Sequence, residues 1–280
     1  MQTNSSFIKY FFFISLIFSP FIYADSKISD GEVYSYLELS GIKASIQGMP
    51  AQVEMMSQQM QLTSADPEKD RVVISVLLEA WQEDKVNQEL ISYIQSNMTS
   101  AEMTQILSWL NTPLIKRIKA SELAATSPDL QQELMLYMAN LQSNPPTPAR
   151  MAAIKELVSV TKMAENATDI AVSIVANMFK GMQAAMPEKQ VSEEQIQQQV
   201  QQVRAMMSQA MNQQMVLMSY YIYRDVSDTE LAEYMSFYQK SLGQKELTVV
   251  YGGMKNAMQL WGDNIVVGLS EALKTKEASE

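Results

Sequence analysis

The chain reads LISYIQSNMTSAEMTQILSWLNTPL over residues 90–114, and it reads MSYYIYRDVSDTELAEYMSFYQKSL over residues 218–242. The two stretches align without a gap. Identical pairs are few, among them Tyr93 with Tyr221 and Glu102 with Glu230, but most other pairs keep their size and polarity. Similarity at a fixed period indicates two copies of one structural unit. We therefore expect two tandem repeats.

Both stretches carry the start signals of an amphipathic helix. Thr99 with Glu102, and Ser227 with Glu230, have the spacing of a capping box, in which two side chains satisfy the free backbone N–H groups at a helix start. Apolar residues then recur at helical spacing in the first copy, at Met103, Ile106, Leu107 and Leu110. The pattern predicts a helix–turn–helix corner in each repeat.

Proline and glycine are scarce, at nine residues each, and the apolar spacing is helical throughout, so we predict an all-α fold made of two tandem helical-bundle repeats. Residues 143–148, SNPPTP, form the clearest linker. The predicted organisation is a signal peptide over residues 1–24, a first helical repeat over 25–142, the Pro-rich linker over 143–148, a second helical repeat over 149–273 and a polar tail over 274–280.

The segment that precedes Asp25 has the layout of a secretory signal peptide. Lys9 precedes an apolar run over residues 10–18, Pro20 ends the run, and Ala24 is a small residue at a cleavage point. We predict a periplasmic protein, with secretion, or retention of the segment as an anchor, as alternatives. No later stretch has 18 apolar residues without a charge, so we expect no integral membrane segment in the mature chain.

The composition excludes several classes of function. The net charge is −10, which repels nucleic acid phosphates. The chain has no His and no Cys, so Ser–His and Cys–His nucleophiles and ordinary zinc sites are excluded. The two Gly-rich motifs that bind nucleotides, GxGxxG and GxxxxGK(S/T), do not occur in the sequence. We predict a protein that is not an enzyme and needs no cofactor.

The turns of the two corners resemble those of an uncharacterised family of exported, all-helical bacterial proteins. Residues 236–245 read SFYQKSLGQK, and residues 37–42 near the mature start read LELSGI. The family pairs a Leu-Ser-Gly first helix with a turn of the form Phe-Tyr-x-Ser-Pro-x-Gly-x-Lys. The first copy keeps the proline, as Pro113, but has Ile115 in place of the glycine. The second copy keeps the glycine, as Gly243, but has Ser241 in place of the proline. The resemblance implies an exported helical fold and no established activity.

Methionine is the residue type that most suggests a specific function, and the chain has 22 of them. Four of them lie on one face of a predicted helix, at Met207, Met211, Met215 and Met218. Thioethers are soft ligands that select Cu(I), and a flexible methionine face also suits an apolar partner. A third interpretation, which we favour, is that these side chains fill a helical core.

Aromatic residues concentrate in the second repeat, at Tyr220, Tyr221, Tyr223, Tyr234, Phe237 and Tyr238. This cluster either lines a ligand pocket or forms the core where two helices cross, and core packing is the favoured interpretation. The sequence as a whole predicts a non-catalytic module of the cell envelope that binds an unknown protein or an apolar ligand. Handling of Cu(I) through the methionine face is the rival prediction, and an enzyme of unknown class is the third.

Overall fold

The computed structural model describes residues 27–61, 67–125, 131–185 and 192–277. These residues form helices and contain no strand, so the chain is all-α, as predicted. The helices are α1 (Asp30–Leu39), α2 (Ile42–Gln47), α3 (Met49–Gln61), α4 (Pro67–Glu79), α5 (Glu83–Asn97), α6 (Ser100–Leu110), α7 (Pro113–Ala124), α8 (Gln131–Ser143), α9 (Pro148–Val160), α10 (Met163–Ala185), α11 (Glu193–Ile222), α12 (Asp228–Tyr238) and α13 (Ser241–Glu277). The predicted signal peptide, residues 1–24, lies outside the described residues.

The predicted linker and the predicted polar tail can be compared with the ends of the helices. The predicted linker lies between α8, which ends at Ser143, and α9, which begins at Pro148 after the cap Thr147. The last helix continues to Glu277, so residues 274–277 of the predicted polar tail are helical, while 278–280 lie outside the described residues. None of residues 274–277 is Gly or Pro, so nothing in them stops the helix.

In both parts of the chain, a helix that comes earlier in the sequence packs against the helices of the aligned stretch. The first stretch forms α5 and α6, and α1 packs against both of them. The second stretch forms the end of α11 and α12, and α9 packs against both of those helices. The corresponding helices therefore meet in the same order in the two parts of the chain.

The largest hydrophobic cluster draws on both parts of the chain. It contains Leu90 and Ile106 from the first predicted repeat and Leu231 and Ala257 from the second, all completely buried. Helix α13 contributes to this shared core because it packs along both α5 and α10. Burial of these apolar surfaces, worth about 25 cal/mol per Å², holds the two parts together.

Two adjacent glycines let α13 lie close to α5. A Cβ atom at Gly252 would come within 2.5 Å of the hydroxyl oxygen of Tyr93, and one at Gly253 within 2.6 Å of Cδ1 of Leu90. Side chains at these positions would therefore push the helices apart. The glycines do not break α13, which continues through them for 37 residues.

Length and apolar character together decide whether a helix can cross a bilayer. Among the described helices, none has both to the degree that crossing a membrane requires.

Candidate binding cavity

The starts of α6 and α12 are held by the same set of hydrogen bonds. At α6, the Glu102 N–H donates to Thr99 Oγ1 at 3.3 Å, and the Thr99 N–H donates to Glu102 Oε2 at 2.8 Å. At α12, the Glu230 N–H donates to Ser227 Oγ at 3.3 Å, and the Ser227 N–H donates to Glu230 Oε2 at 2.9 Å. Each glutamate therefore completes a capping box.

Each of these glutamates also forms an ion pair with the other corner. The Glu102 carboxylate lies 2.6 Å from Lys245 Nζ, and Glu230 pairs with Arg117. Continued without a gap, the alignment places Lys245 opposite Arg117, just as it places Glu230 opposite Glu102. The same contact is therefore made twice with the roles exchanged, which is the pattern of an interface between two copies related by a twofold axis.

Hydrogen bonding and charge set the protonation of Glu102. Burial alone would raise the pKa of its carboxyl, but the hydrogen bonds from Lys245 and Thr99 outweigh burial and lower that pKa below its ordinary value. Glu102 is consequently ionised at neutral pH.

An aromatic stack joins the two corners. The rings of Trp109 and Phe237, which are aligned positions of the two stretches, lie 3.8 Å apart between centroids and within 10° of parallel. Tyr238 meets Trp109 edge-on at 5.5 Å. The aromatic residues predicted from the sequence are thus buried, and three of them, Tyr223, Tyr234 and Tyr238, also line a cavity.

Pro113 and Gly243 each lie in the first turn after a corner. Pro113 is the first residue of α7, where its missing N–H removes no helical hydrogen bond. A Cβ at Gly243 would collide with the carbonyl oxygen of Phe237 and lie 2.7 Å from Cα of Tyr238. The second corner therefore needs a residue without a side chain.

A cavity of about 300 Å³ lies among α1, α2, α7, α10, α11, α12 and α13. We call it the interhelical cavity. Its size is at the lower end of the range for small-molecule sites. One part of its lining is polar and another is apolar, so it has the character of an amphiphile site.

The polar lining includes an ion pair on α7. Lys119 Nζ lies 2.8 Å from Glu122 Oε2 and donates to the Tyr234 hydroxyl at 3.0 Å. Glu122 Oε1 accepts hydrogen bonds from Tyr223 at 2.7 Å and from Tyr234 at 2.8 Å. Burial alone would lower the pKa of Lys119, but the adjacent negative charge of Glu122 outweighs it and raises that pKa above its ordinary value. Both charges are therefore present and partnered.

A second carboxyl, that of Glu246 on α13, lines the same cavity and is only 6% exposed. Tyr36 donates a hydrogen bond to its Oε1, whereas Oε2 has no hydrogen-bond partner among the described residues. Burial raises the pKa of Glu246, and the charge of Glu122 raises it further, against the opposing effects of Tyr36 and Lys119. A buried polar atom without a partner is costly, so this oxygen needs an explanation.

The apolar lining comes largely from methionine and aliphatic side chains. Met163, Met215 and Met218 contribute thioethers, and Leu247 and Val250 contribute branched groups. Methionine adapts its shape to irregular neighbours. This wall is suited to an aliphatic chain of variable shape.

The four methionines singled out in the sequence are divided by the structure. Met215 and Met218 line the interhelical cavity, while Met207 and Met211 lie nearer the start of α11 and do not. All four are half-buried. Among the described residues, no group of three Asp or Glu side chains is placed to hold a metal ion.

Sequence reasoning did not find the charged residues of the cavity. Lys119, Glu122 and Glu246 were not singled out, and neither was Tyr36. The available signal was a charged residue inside an apolar helical stripe, since Glu246 is followed by Leu247 and Lys119 is preceded by Ile118, which are both buried. That signal shows a buried charge but not which helices meet around it.

Comparisons with family models, with curated proteins and with solved structures give no significant match to this chain.

Proposed function

We propose that this protein binds a small amphiphilic molecule in the interhelical cavity and performs no chemistry on it. The observation that carries the proposal is that Glu246, a residue of the cavity lining, has a buried oxygen, Oε2, without a hydrogen-bond partner among the described residues. Bound next to this oxygen, a ligand with a polar head satisfies it, and an apolar tail extends along Met163, Met215 and Met218.

The protonation states support binding over catalysis. Burial raises the pKa of Tyr223 and of Tyr234, with the charge of Glu122 adding to it, so no phenolate base is present near neutral pH. Lys119 is held as a cation by Glu122 and is not a neutral nucleophile.

The proposed location is the cell envelope, after removal of residues 1–24. The support is the signal-peptide layout of those residues. A small ligand carried between membranes or across the periplasm is consistent with a cavity of this size.

A second candidate function is the binding of Cu(I) by thioethers. The observation in its favour is that three methionines, Met163, Met215 and Met218, line one cavity. Sulfur ligands select Cu(I). Ser219 Oγ already contacts the Met163 sulfur at 3.9 Å, and neither Cys nor His is available as a stronger ligand, so we rank copper below the amphiphile.

We also propose that the fold consists of two tandem copies of one helical unit, over residues 25–142 and 149–273. The support is the matching capping boxes, the stack of Trp109 on its aligned residue Phe237 and the two reciprocal ion pairs. On this proposal the copies associate as the subunits of a twofold dimer do. The cavity lies beside the second corner, where Tyr234 and Tyr238 align with the aliphatic Ile106 and Leu110 of the first.

Filling the cavity tests the proposed function. Val250→Phe places a ring in the cavity, and we expect it to weaken the binding of octanol, measured by isothermal titration calorimetry, by about tenfold or more, because the added group occupies the ligand's space. Val267→Phe on the same helix, where Val267 is 57% exposed, is the matched control and should bind octanol like the native protein. Leu247→Phe is the second filling variant if Val250→Phe does not fold.

Native protein that binds no octanol, or filling variants that bind it unchanged, would contradict the amphiphile site. Titration of Cu(I) against native protein and Met215→Leu distinguishes the second candidate. Copper binding that is lost in Met215→Leu, with octanol not bound, would favour the metal.

A further inference from the structure

The polar end of the interhelical cavity carries more negative than positive groups. Its ionisable side chains are one lysine, Lys119, and two glutamates, Glu122 and Glu246. Lys119 and Glu122 neutralise each other at 2.8 Å. Glu246 is left with one oxygen bound by Tyr36 and one oxygen, Oε2, free among the described residues.

Tyrosine rings accompany this free oxygen. Five tyrosines line the cavity, namely Tyr36, Tyr223, Tyr234, Tyr238 and Tyr251. Aromatic faces attract cations, and the cavity already shows one such contact, because Lys119 Nζ lies 5.5 Å from the centre of the Tyr234 ring. The lining therefore combines a hydrogen-bond acceptor, a potential negative charge and electron-rich rings.

We infer that the ligand of the interhelical cavity is an aliphatic primary amine, whose ammonium group donates a hydrogen bond to Glu246 Oε2 while its alkyl chain lies along Met163, Met215 and Met218. This inference rests on the proposed binding function and specifies its ligand class. A charge-assisted hydrogen bond between ammonium and carboxylate is roughly twice as strong as a neutral one.

Other head groups fit the same lining less well. A carboxylate would face two glutamates with the single cation Lys119 already paired to Glu122. An alcohol would supply a hydrogen bond to Oε2 but no charge. A trimethylammonium group would supply charge for the tyrosine rings but no N–H donor for Oε2. The primary amine alone among these supplies both.

The amine should bind in a pH-dependent way. The titratable groups that line the cavity with Glu246 are Tyr36 on α1, Lys119 and Glu122 on α7, Tyr223 at the end of α11, Tyr234 and Tyr238 on α12 and Tyr251 on α13. Burial raises the pKa of Glu246, so acid protonates it and removes the charge that the amine needs. Octylamine affinity should therefore rise with pH through the pKa of Glu246, while octanol affinity should change less.

A ligand series on the native full-length mature protein tests the inference. We expect calorimetry at neutral pH to give octylamine about tenfold tighter than octanol, with octyltrimethylammonium and octanoate both weaker than octylamine. Glu246→Gln should remove the preference for octylamine over octanol, measured as the ratio of the two dissociation constants. Glu233→Gln, an exposed change on α12, is the matched control and should keep the preference.

The outcomes distinguish the amine inference from the proposed function of the cavity. Octanol bound as tightly as octylamine, or a preference for octylamine that survives in Glu246→Gln, overturns the amine inference and leaves the amphiphile cavity standing. Octyltrimethylammonium or octanoate as the tightest ligand also overturns it, on native protein alone, so the test does not depend on folding of the variant. Binding of no member of the series overturns the cavity function itself.

Discussion

At the scale of single residues, the cavity lining includes a buried carboxyl group with an oxygen that lacks a hydrogen-bond partner among the described residues. Glu246 is buried among apolar neighbours on α13, and its Oε2 has no partner among the described residues. Tyr36, 210 positions away in the sequence, supplies its one hydrogen bond. Stability alone would favour an apolar residue at this position, and the proposed binding function offers a reason for a carboxyl here.

The burial of Glu246 should make the free energy of unfolding depend on pH. Its pKa is higher in the folded chain than the ordinary value of 4.5, so the folded state holds this proton more tightly than the unfolded state does. As pH rises above about 4.5 and through the raised pKa, ionisation therefore destabilises the fold. We expect Glu246→Gln to become progressively more stable than native protein over that range, since each tenfold change in proton binding corresponds to about 1.4 kcal/mol.

Urea unfolding of both proteins at a series of pH values measures this difference. Lys119 and Glu122 are common to both proteins, so the difference reports the titration of Glu246 together with its electrostatic coupling to Glu122. A difference between the two proteins that is constant with pH would show that Glu246 has the same pKa folded and unfolded.

At the scale of helices, the corners depend on backbone groups as much as on side chains. The capping boxes at Thr99 and Ser227 start α6 and α12. Gly243 then lets the start of α13 lie against the backbone at Phe237 and Tyr238. The orientation of α13, and with it the position of Glu246 one turn further on, follows from this close approach.

A methyl group at Gly243 should disturb the corner. Gly243→Ala places a Cβ against backbone atoms that cannot rotate away, and we expect a loss of about 1–3 kcal/mol in the free energy of unfolding, as for other overpacked sites. Gly31→Ala on α1 is the matched control, because nothing lies within 4 Å of its Cβ. The control should be neutral or up to about 1 kcal/mol more stable. Equal effects of the two changes on the urea midpoint would show that the contact at Gly243 carries no strain.

At the scale of the whole molecule, the two corners meet face to face. Glu102 pairs with Lys245 and Glu230 pairs with Arg117. The ring of Trp109 stacks on that of Phe237 between them. Contacts of this reciprocal kind connect distant parts of the sequence, and they add to the largest hydrophobic cluster, which draws on both parts of the chain.

Double-mutant cycles test whether the two ion pairs between the corners are equivalent. Glu102→Gln with Lys245→Met, and Glu230→Gln with Arg117→Met, remove the charges, and glutamine still satisfies the capping box. We expect similar coupling energies of about 0.2–1 kcal/mol for the two pairs, because both are partly exposed, and both should fall as salt is added. The exposed pair of Arg71 and Glu68 within α4 is the control and should couple less. Strong coupling in one corner pair and none in the other would contradict a twofold arrangement of two copies.

Much of the helical architecture is local in origin and was predictable. The all-α class follows from helical apolar spacing and scarce Gly and Pro. The capping spacing of Thr99 with Glu102 and of Ser227 with Glu230 predicts where α6 and α12 begin, because a capping box depends on residues only three positions apart. The ungapped alignment of the two stretches likewise predicts that the corners resemble each other, since equal local patterns specify equal local structure.

The cavity was decided only by tertiary structure. No local pattern brings Tyr36 on α1, Lys119 on α7 and Glu246 on α13 to one space, because their meeting depends on how whole helices cross. The methionine face was visible in the sequence, yet only packing shows that Met215 and Met218 line the cavity while Met207 and Met211 do not. The sequence by itself determined the helices and their caps, because both depend on residues a few positions apart. The long-range packing decided which buried charges face each other, and the proposed ligand class rests on that packing.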